Sequence, residues 1–432
     1  MSNQILEIRL SPKGIKPVRN GHPWVFRNAL AGRPVPASVP EDVVRTVTGN
    51  GLRWETTGPA IVCDPTGTPI GWGIYNEASR LALRMITRNS SSAIHRGTFT
   101  SLIRDSISRR DDPRRDPDTD VFRLLFGEAD GFPGLAVDRL GDALVMEISG
   151  AFAWENRGWI VQDFLRLTGA QRILIEPDRE MLDRDGVPGP LSSEEHRGEG
   201  EAAAEPAAEP AAGKALIVRE NGISWYAEPG GGQKTGFYCD QQVNRRRLGE
   251  LSRGLSVLDG FCYQGGFGLT ALSRGAARVT CADSSADALA IVERNRALQG
   301  ADADRLEIVR GDLFSMLRNN AVGADSLERY DLVILDPPKL VPARHHRDAG
   351  LRAYKDLNMA AMRKMRQGAR LATFSCSGAV SRDDFRTALA WAAADAGRVV
   401  RIEELFSQGP DHPVPLHFPE AEYLKGFLLR IH

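Results

Sequence analysis

Cysteine is scarce in this chain: it has five, an odd number, and no Cys-x-x-Cys pair. Such a set argues against a disulfide framework and against a zinc site, and it fits a reducing compartment. No apolar run approaches the about 20 residues that cross a bilayer, and residues 1–10 lack the apolar core of a signal peptide. The sequence therefore predicts a cytoplasmic protein with no metal site and no membrane span.

Lysine is also scarce, with eight residues against 47 arginines. The net charge is −1, but residues 194–209 alone carry −5, so the rest of the chain is mildly basic at +4. A balance of this kind permits nucleic-acid binding without requiring it. Lysine and arginine differ in geometry and proton affinity. A lysine within a motif of this arginine-rich chain therefore suggests a specific role for that residue. Two lysines, Lys234 and Lys339, lie in the motif segments described below.

The chain has 432 residues, of which 42% are hydrophobic, enough for two or three globular domains. Residues 1–90 contain short strands split by Gly and Pro, which predicts a small β-rich domain. Residues 91–186 predict a central α+β domain with a helix over Trp154–Leu167. Residues 187–213 are rich in Pro, Gly, Ala and Glu, and we predict that they are disordered or form a loose linker. The last domain then covers residues 214–432.

This last domain opens with a hairpin around Asn221-Gly222 and then alternates helices with strands. Strands are predicted at 255–259, 277–282, 305–309, 331–335 and 369–375. Alternation of this kind predicts a doubly wound parallel sheet. The final two strands, 398–405 and 422–430, are joined by a Pro-rich loop without a helix, so they must pair antiparallel. This α/β arrangement resembles the Rossmann-like class I S-adenosylmethionine-dependent methyltransferase fold rather than a dinucleotide-binding dehydrogenase.

A glycine-rich segment follows the first of these strands, directly after Asp259. It runs through Gly260 and Phe261 to Gly265 and Gly266, and glycines let the backbone approach a ligand closely at the mouth of a helix. The residues from Gly266 onward formally match the NAD motif G-x-G-x-x-A. That motif starts at the turn directly after the strand, whereas Gly266 comes seven residues after Asp259, which argues against NAD. We interpret all five residues as binding S-adenosylmethionine.

Two further acids, Asp283 and Asp312, end the next two strands. Asp283 is placed to accept hydrogen bonds from ribose hydroxyls, and Asp312 is placed to receive the adenine amino group. A single acid at a strand end can merely cap the following helix. Three such acids in succession, counting Asp259, favour cofactor binding over capping alone.

A carboxylate and a thiol follow two neighbouring strands of the predicted sheet. Asp336 opens the segment Asp336-Pro337-Pro338-Lys339, and Cys376 lies between two serines at the end of the next strand. Open α/β sheets hold ligands at this carboxyl edge. A thiolate that adds to C6 of a pyrimidine makes C5 nucleophilic, and a protonated carboxyl near N3 stabilises the charge that develops. We interpret Cys376, Asp336 and Lys339 as catalytic and Asp336 also as a cofactor contact.

Other interpretations of these residues stay open. Free cysteines are usually small buried hydrophobes, and Cys262 is a rival thiol in the glycine-rich segment. Many amino-group methyltransferases also place an Asp before Pro-Pro. The cysteine therefore decides the choice of carbon over nitrogen.

With these motifs placed, the chain resembles the bacterial RlmI-type ribosomal RNA large-subunit methyltransferases, which make 5-methylcytosine. The segments that carry the resemblance are Arg19–Phe26, Gly71–Asn76, Gly127–Leu135 and Gln233–Arg245, together with the motifs above. The resemblance implies an N-terminal PUA-type RNA-binding domain and cofactor contacts from Phe237 and Asp240. Two features depart from the family: Gln242 stands where Arg is usual, and the segment 187–213 is longer than expected.

An enzyme acting on a ribosomal cytosine must flip the base and hold the flanking backbone. Two basic clusters are candidates for RNA binding: Lys13, Lys16, Arg19 and His22 in the first domain, and Arg344, His345, His346 and Arg347 after Asp336. Solvated surface charge is the alternative for both.

We therefore predict an S-adenosylmethionine-dependent methyltransferase that acts on C5 of a cytidine in large-subunit ribosomal RNA. One alternative is a guanine-N methyltransferase with the same fold, and another is a catalytically silent RNA-binding assembly factor. A homodimer is compatible with the sequence, which does not fix the oligomeric state.

Overall fold

A computed structural model describes residues 4–49, 51–110, 117–198, 216–229, 236–323 and 325–432. Lys234 and the rest of residues 230–235, at the start of the family motif, lie outside these ranges. In the part of the chain that is described, no helix is both long enough and apolar enough to cross a membrane.

The first unit is a six-stranded, mostly antiparallel sheet with two short helices. Its elements are β1 (Leu6–Arg9), α1 (Pro12–Arg19), β2 (Trp24–Val25), β3 (Val35–Pro36), α2 (Glu41–Thr48), β4 (Thr57–Cys63), β5 (Pro69–Asn76) and β6 (Leu83–Thr87). The strand order is β2-β6-β5-β4-β1-β3, with only β1 and β4 parallel. Helix α1 begins after Ser11, whose side chain accepts from the Gly14 N–H. The unit is β-rich, as its short strands predicted.

The central unit is a five-stranded sheet covered by helices. Its elements are α3 (Arg96–Arg110), β7 (Val121–Phe126), β8 (Leu135–Leu140), β9 (Ala143–Ile148), α4 (Ala151–Glu155), α5 (Arg157–Thr168), β10 (Arg172–Pro177), α6 (Arg179–Arg184) and β11 (Glu194–Arg197). The order is β11-β10-β9-β8-β7. The single helix predicted over Trp154–Leu167 is two helices that meet at Asn156, and β7 was not predicted. The Asn156 side chain donates to the carbonyls of Arg53 and Phe152, which ties this break to the first unit.

Strand β11 corrects the prediction that residues 187–213 are disordered or a loose linker. Its residues pair antiparallel with Arg172–Ile175 at the edge of the central sheet. Glu194 also accepts from the Arg157 guanidinium at 2.9 Å. A sheet edge offers unpaired backbone groups to any extended segment, so an edge strand needs no apolar pattern that composition could reveal. Residues 199–213 of the predicted linker lie outside the described ranges.

A β-hairpin precedes the last unit and consists of β12 (Leu216–Glu220) and β13 (Ile223–Ala227). Its turn residues Asn221 and Gly222 have φ of 53° and 78°, the left-handed values that a two-residue hairpin turn requires.

The last unit is a seven-stranded sheet with helices on both faces. Its elements are α7 (Gln242–Leu251), β14 (Ser256–Gly260), α8 (Gly266–Ser273), β15 (Arg278–Asp283), α9 (Ala286–Leu298), β16 (Leu306–Arg310), α10 (Leu313–Asn319), β17 (Leu332–Leu335), α11 (Arg347–Lys364), β18 (Arg370–Ser375), α12 (Arg382–Ala396), β19 (Val400–Ser407) and β20 (Lys425–Ile431). The order is β16-β15-β14-β17-β18-β20-β19, and only the pairs that include β20 are antiparallel. The predicted fold class is therefore confirmed.

The loop between β19 and β20 contacts the other two units and fixes their position beside the last sheet. Asp411 in this loop accepts from the Arg123 backbone N–H at 2.9 Å, and its carbonyl accepts from Arg110 at 2.8 Å. Phe418 packs edge-on against Trp24 of the first unit, with ring centroids 4.8 Å apart. All three units therefore meet close to the carboxyl edge of the seven-stranded sheet.

Candidate active site

A cavity of about 770 Å³ opens at the carboxyl edge of the seven-stranded sheet. Its volume lies within the about 300–1,000 Å³ of ordinary ligand sites. The loops that follow β14 to β18 supply most of its wall, and residues of the hairpin, of α7 and the segment before it, and of the segment before β20 supply the rest. Among the lining residues are Phe237, Tyr238, Asp240, Gln241, Arg245, Phe261, Gly266, Asp283, Asp312, Phe314, Asp336, Lys339, Cys376 and Tyr423.

Asp336 and Cys376 lie in this one cavity because the strands before them are neighbours. Strand β17 pairs parallel with β18, with Leu335 opposite Thr373, so the two following segments leave the sheet side by side. Both residues are half-buried. The cavity therefore presents a carboxyl group and a thiol to the same ligand.

A buried network of hydroxyl groups fixes the backbone on both sides of Cys376. The Ser375 hydroxyl donates to the Tyr354 hydroxyl at 2.9 Å, and the Tyr354 and Ser377 hydroxyl oxygens are 3.1 Å apart. The Val341 backbone N–H donates to the Ser377 hydroxyl at 3.2 Å. Because satisfied buried networks are rigid, the thiol has a fixed position at the cavity wall. Sequence patterns gave no sign of Tyr354, which lies on α11.

The rival thiol, Cys262, has a different environment. It is 5% exposed, and burial raises the pKa of its thiol well above the ordinary value. Of the five free cysteines, Cys376 is half-buried and the other four are buried. Reactive cysteines are partly exposed whereas buried structural ones are inert, so the structure favours Cys376 as the reactive thiol.

The Asp336 carboxyl is oriented by residues that precede or begin α7. The Gln241 side-chain amide donates to Asp336 at 3.0 Å. Asn244 in turn donates to the Gln241 side-chain oxygen at 2.6 Å and to the Ser407 carbonyl at 2.9 Å. Gln241 and Asp336 are 95 residues apart, which is why the sequence alone did not connect them.

The glycine-rich segment after β14 has a strained backbone where it borders the cavity. Phe261 and Tyr263 have φ of 62° and 48°, the left-handed region that non-glycine residues avoid at a cost of about 1–3 kcal/mol each. The Tyr263 N–H donates to the Asp283 carboxylate at 3.0 Å, which helps to hold this conformation. A Cβ at Gly266 would lie 3.0 Å from Cδ of Arg245, so glycine keeps this part of the wall open.

Three of the predicted cofactor residues do not line the cavity: Asp259, Gly260 and Gly265. Asp259 is 1% exposed and accepts from the Gly268 N–H at 2.7 Å, while its other carboxylate oxygen has no partner among the described residues. Burial, together with nearby Asp336 and Asp283, raises the pKa of Asp259 to about 7. Gly265 has a φ of 81° that only glycine adopts freely. These three residues shape the loop from behind the wall.

The two other strand-end acids line the cavity and also stabilise local backbone. Asp283 accepts from the Ser285 N–H at 2.9 Å, in addition to its bond from Tyr263. Asp312 caps α10, accepting from the Phe314 and Ser315 N–H groups at 3.3 and 3.1 Å. The sequence analysis treated helix capping and cofactor binding as alternatives for these acids. The structure shows that one carboxylate can accept from the local backbone and still line the cavity.

Phe237 and Asp240, the residues suggested by the family resemblance, form one side of the cavity. Asp240 accepts from the Tyr423 hydroxyl at 2.6 Å, and its second oxygen is buried without a partner among the described residues. Phe237 lies under the Arg245 guanidinium, 5.2 Å from the ring centroid. Arg245 is held by Glu220 of the hairpin at 2.7 Å, so the hairpin supports this wall.

The two basic clusters lie outside the cavity wall. Lys13, Lys16 and Arg19 are exposed on α1, and Arg19 donates to Asp64 at 3.1 Å. The second cluster precedes or begins α11, with Arg344, His345 and His346 exposed. Arg347 is half-buried and bonds to Asp384, so its charge is partly compensated.

A second cavity, of about 360 Å³, lies where the three units meet. It shares Phe237, Tyr238, Asp240 and Tyr423 with the first cavity. Its charged lining is mainly acidic, with Glu128, Glu147 and Glu420. Arg123 and His412 also line it, but the excess of acidic side chains disfavours phosphate binding in this cavity.

Two protein families match the chain in different parts. A family of S-adenosylmethionine-dependent methyltransferases matches residues 193–353, and a family of PUA-like domains matches residues 8–88. Among solved structures, a Streptococcus mutans protein assigned as an S-adenosylmethionine-dependent methyltransferase superposes with a TM-score of 0.75. It is 17% identical, and the match covers 98% of this chain and 100% of that one. A second structure, of a protein assigned as a methyltransferase and complexed with SAH, has a TM-score of 0.76 at 17% identity, and the match covers 99% of this chain and 100% of that one. These likenesses support the fold.

Curated relatives match nearly the whole chain at higher identity. Ribosomal RNA large subunit methyltransferase I of Shewanella amazonensis is 34% identical over 429 residues, covering 99% of both chains. The protein of the same name from an Escherichia coli O1:K1 strain is 32% identical over 410 residues, covering 95% of both. On this evidence the chain belongs to the ribosomal RNA large subunit methyltransferase I family and uses S-adenosylmethionine as its cofactor.

Proposed function

We propose that the protein transfers a methyl group from S-adenosylmethionine to C5 of a cytidine in large-subunit ribosomal RNA, with Cys376 as the nucleophile. The observation that carries the proposal is the presence of Cys376 and Asp336 in one cavity at the carboxyl edge of the sheet. The names of the full-length relatives support ribosomal RNA as the substrate.

The proposed reaction begins at Cys376. Its thiolate forms a bond to C6 of the flipped cytosine, which makes C5 nucleophilic. Asp336, protonated as it contacts the base, delivers its proton toward N3 as negative charge develops there. The cofactor, when bound, supplies the electrophilic methyl group. The C5 proton is then lost to a base and the N3 proton returns to Asp336, so the bond between sulfur and C6 breaks and the thiolate is regenerated.

Gln241 and Lys339 have supporting parts in this scheme. Gln241 holds the Asp336 carboxyl at 3.0 Å and so fixes the direction in which its proton leaves. Lys339 is exposed at the cavity rim. An exposed ammonium suits an RNA phosphate near the flipped base better than it suits a buried proton transfer.

The cofactor site follows from the cavity wall. Asp283 would accept from the ribose hydroxyls, and Asp312 would receive the adenine amino group. Phe261 and Phe314, whose ring centroids are 5.7 Å apart, line the cavity beside Asp312 and suit the adenine ring. Phe237 and Asp240 bound the opposite wall, and the strained loop provides backbone at the mouth of α8.

RNA binding is assigned to the first unit and to the segment before α11. The PUA-like match supports the former, with Lys13, Lys16 and Arg19 exposed on α1. Arg344, His345 and His346 follow the Asp336 motif directly and would hold phosphates next to the flipped base. The substrate places the enzyme in the cytoplasm, where the ribosome is assembled.

A homodimer is part of the proposal. Strand β19 is an edge of the seven-stranded sheet and carries exposed Ile402 and Leu405, 44% and 56% accessible. An exposed sheet edge can pair with another chain, and these two apolar side chains would be covered in such a dimer. Sedimentation of the wild type as a dimer, and of Leu405→Glu as a monomer, is expected; a wild-type monomer at micromolar concentration would remove the dimer from the account.

Product analysis tests the function. The purified protein is incubated with isotope-labelled S-adenosylmethionine and ribosomal RNA from a strain that lacks it, and the digested nucleosides are separated by mass spectrometry. Labelled 5-methylcytidine is expected. Labelled methylguanosine, retained in Cys376→Ala, would instead support the guanine-N alternative, and failure to bind S-adenosylmethionine in calorimetry would support the silent assembly factor.

A further inference from the structure

Lys425 is a buried lysine that the reaction scheme above does not use. It begins β20, lies opposite Ser375 in the antiparallel pair with β18, and is 1% exposed. Its ammonium donates to the Ser377 carbonyl at 2.8 Å, so it lies directly beside the segment that carries Cys376. Lysine is almost never fully buried without a partner, which makes this position informative.

The Lys425 ammonium has too few acceptors for a buried charge. Of its three N–H donors, only one has an acceptor among the described residues, the Ser377 carbonyl. A buried charge is costly unless it is paired and hydrogen-bonded. Accordingly, burial lowers the pKa of Lys425 to about 8. An anion next to this ammonium would offset the cost.

Four charged or titratable groups act on Lys425. Cys376, Glu422 and Asp384 favour its charged form, and Arg382 opposes it. Glu422 already accepts from Arg382 at 2.9 Å.

Asp384 is similarly compensated, since it accepts from Arg347 and from the Ser381 N–H. Of the three groups that favour the charged ammonium, Cys376 contributes most, and it lies on the segment whose Ser377 carbonyl Lys425 contacts.

The other titratable groups around Cys376 do not favour a thiolate. Tyr238 and Tyr354 both sense the Cys376 charge, and burial raises the pKa of each phenol, which keeps them neutral. Asp336 lies in the same cavity, and before the base binds and Asp336 is protonated, its carboxylate would repel a thiolate. A cation near the sulfur would offset this repulsion and favour the thiolate.

We propose that Lys425 is a positioning residue of the methyl-transfer site, whose buried ammonium stabilises the thiolate form of Cys376. The inference rests on the proposed function for its catalytic meaning. The thiol proton leaves to solvent, the sulfur lone pair forms the bond to C6, and that electron pair returns to sulfur when the C5 proton is lost. The ammonium keeps its three protons throughout and stabilises the thiolate at the start and the end of the cycle.

The test is the pH dependence of Cys376 alkylation in the full chain, without RNA. Iodoacetamide labelling is followed by mass spectrometry on the Cys376 peptide in the wild type, Lys425→Met and Lys425→Gln. Glutamine retains a donor for the Ser377 carbonyl but removes the charge. Lys355→Met is the matched control, because Lys355 binds Asp395 at 2.5 Å and does not line the cavity.

The wild-type midpoint is expected below the ordinary thiol pKa of about 8.5. Both charge-removing variants should raise it by about one pH unit or more, which slows labelling at pH 7 about tenfold. Lys425→Arg keeps the positive charge and should therefore have the same labelling midpoint as the wild type. Melting curves and S-adenosylmethionine affinity show whether each variant is folded, and Lys425→Gln remains informative if Lys425→Met does not fold.

The outcomes separate this inference from the proposed function. If both folded variants keep the wild-type labelling midpoint while methylation falls, Lys425 only holds the Ser377 carbonyl and the inference is overturned. If the midpoint rises but Cys376→Ala still methylates carbon, the inference about the thiol stands and the proposed function fails.

Discussion

Replacing Glu220 by Gln tests whether the hairpin supports the cofactor wall through a buried ion pair. Glu220 accepts from Arg245 at 2.7 and 2.5 Å, and the two side chains are 1% and 5% exposed. Glutamine keeps the size but removes the charge, and Arg245 then retains the Tyr238 carbonyl, at 2.7 Å, as an uncharged acceptor. Leaving one partner of a buried pair uncompensated costs about 3–5 kcal/mol. In a unit of this size that lowers the melting temperature by at least about 6 °C.

Differential scanning calorimetry of the full chain measures this shift, and titration calorimetry measures the accompanying loss of S-adenosylmethionine affinity. Glu228→Gln is the matched control, because Glu228 pairs with Arg294 at 30% and 49% exposure and such pairs contribute about 0–1 kcal/mol. The double variant Glu220→Leu with Arg245→Met should recover much of the stability, since no charge is left unpaired. A Glu220→Gln melting temperature equal to that of the control would refute the reasoning.

Four further outcomes are expected. Asp283→Ala should weaken S-adenosylmethionine binding by about 1.5–3 kcal/mol in calorimetry, because hydrogen bonds to a charged carboxylate are lost; an unchanged affinity would exclude Asp283 from the site. Asp336→Asn should keep RNA affinity but slow single-turnover methyl transfer, and an undiminished rate would contradict its role toward N3. Because the folded pKa of Asp259 is raised from 3.8 to about 7, the folded state holds a proton that the unfolded chain releases. The free energy of unfolding should therefore fall as pH rises from about 4 to about 7. Urea titrations should show that this free energy depends less on pH in Asp259→Asn than in the wild type. The same pH dependence in both proteins would contradict the prediction. Arg344→Ala should reduce the salt dependence of RNA binding by about 0.7 in log–log slope, and Arg347→Ala should reduce it less because Arg347 bonds to Asp384; equal effects would count against this difference.

The regular part of the fold was predictable because most of its strands are buried apolar runs that end in characteristic residues. The alternation through β14 to β18 and the turn at Asn221-Gly222 both follow from local patterns. The edge strand β11 was not predictable, since backbone pairing with β10 leaves no signature in composition.

The candidate site also has a part that was predictable from sequence and a part that was not. The proximity of Asp336 and Cys376 was predictable because each follows a strand, and parallel pairing brings strand ends together. The contacts of Gln241 with Asp336 and of Lys425 with Ser377 were not predictable, because they join residues that are 95 and 48 positions apart. For Asp259 the position at the end of a strand was predictable, but its exclusion from the cavity wall was not. Only the structure shows that it lies behind that wall.

The most direct test of the account is a covalent adduct between Cys376 and RNA that carries 5-fluorocytidine at the target position. Fluorine cannot leave as a proton does, so the bond between sulfur and C6 persists after methyl transfer. Denaturing electrophoresis followed by peptide mapping is expected to show the wild-type adduct at Cys376 and none in Cys376→Ala, with S-adenosylmethionine affinity nearly unchanged. An adduct at Cys262, or methylation of carbon by Cys376→Ala, would contradict the assignment.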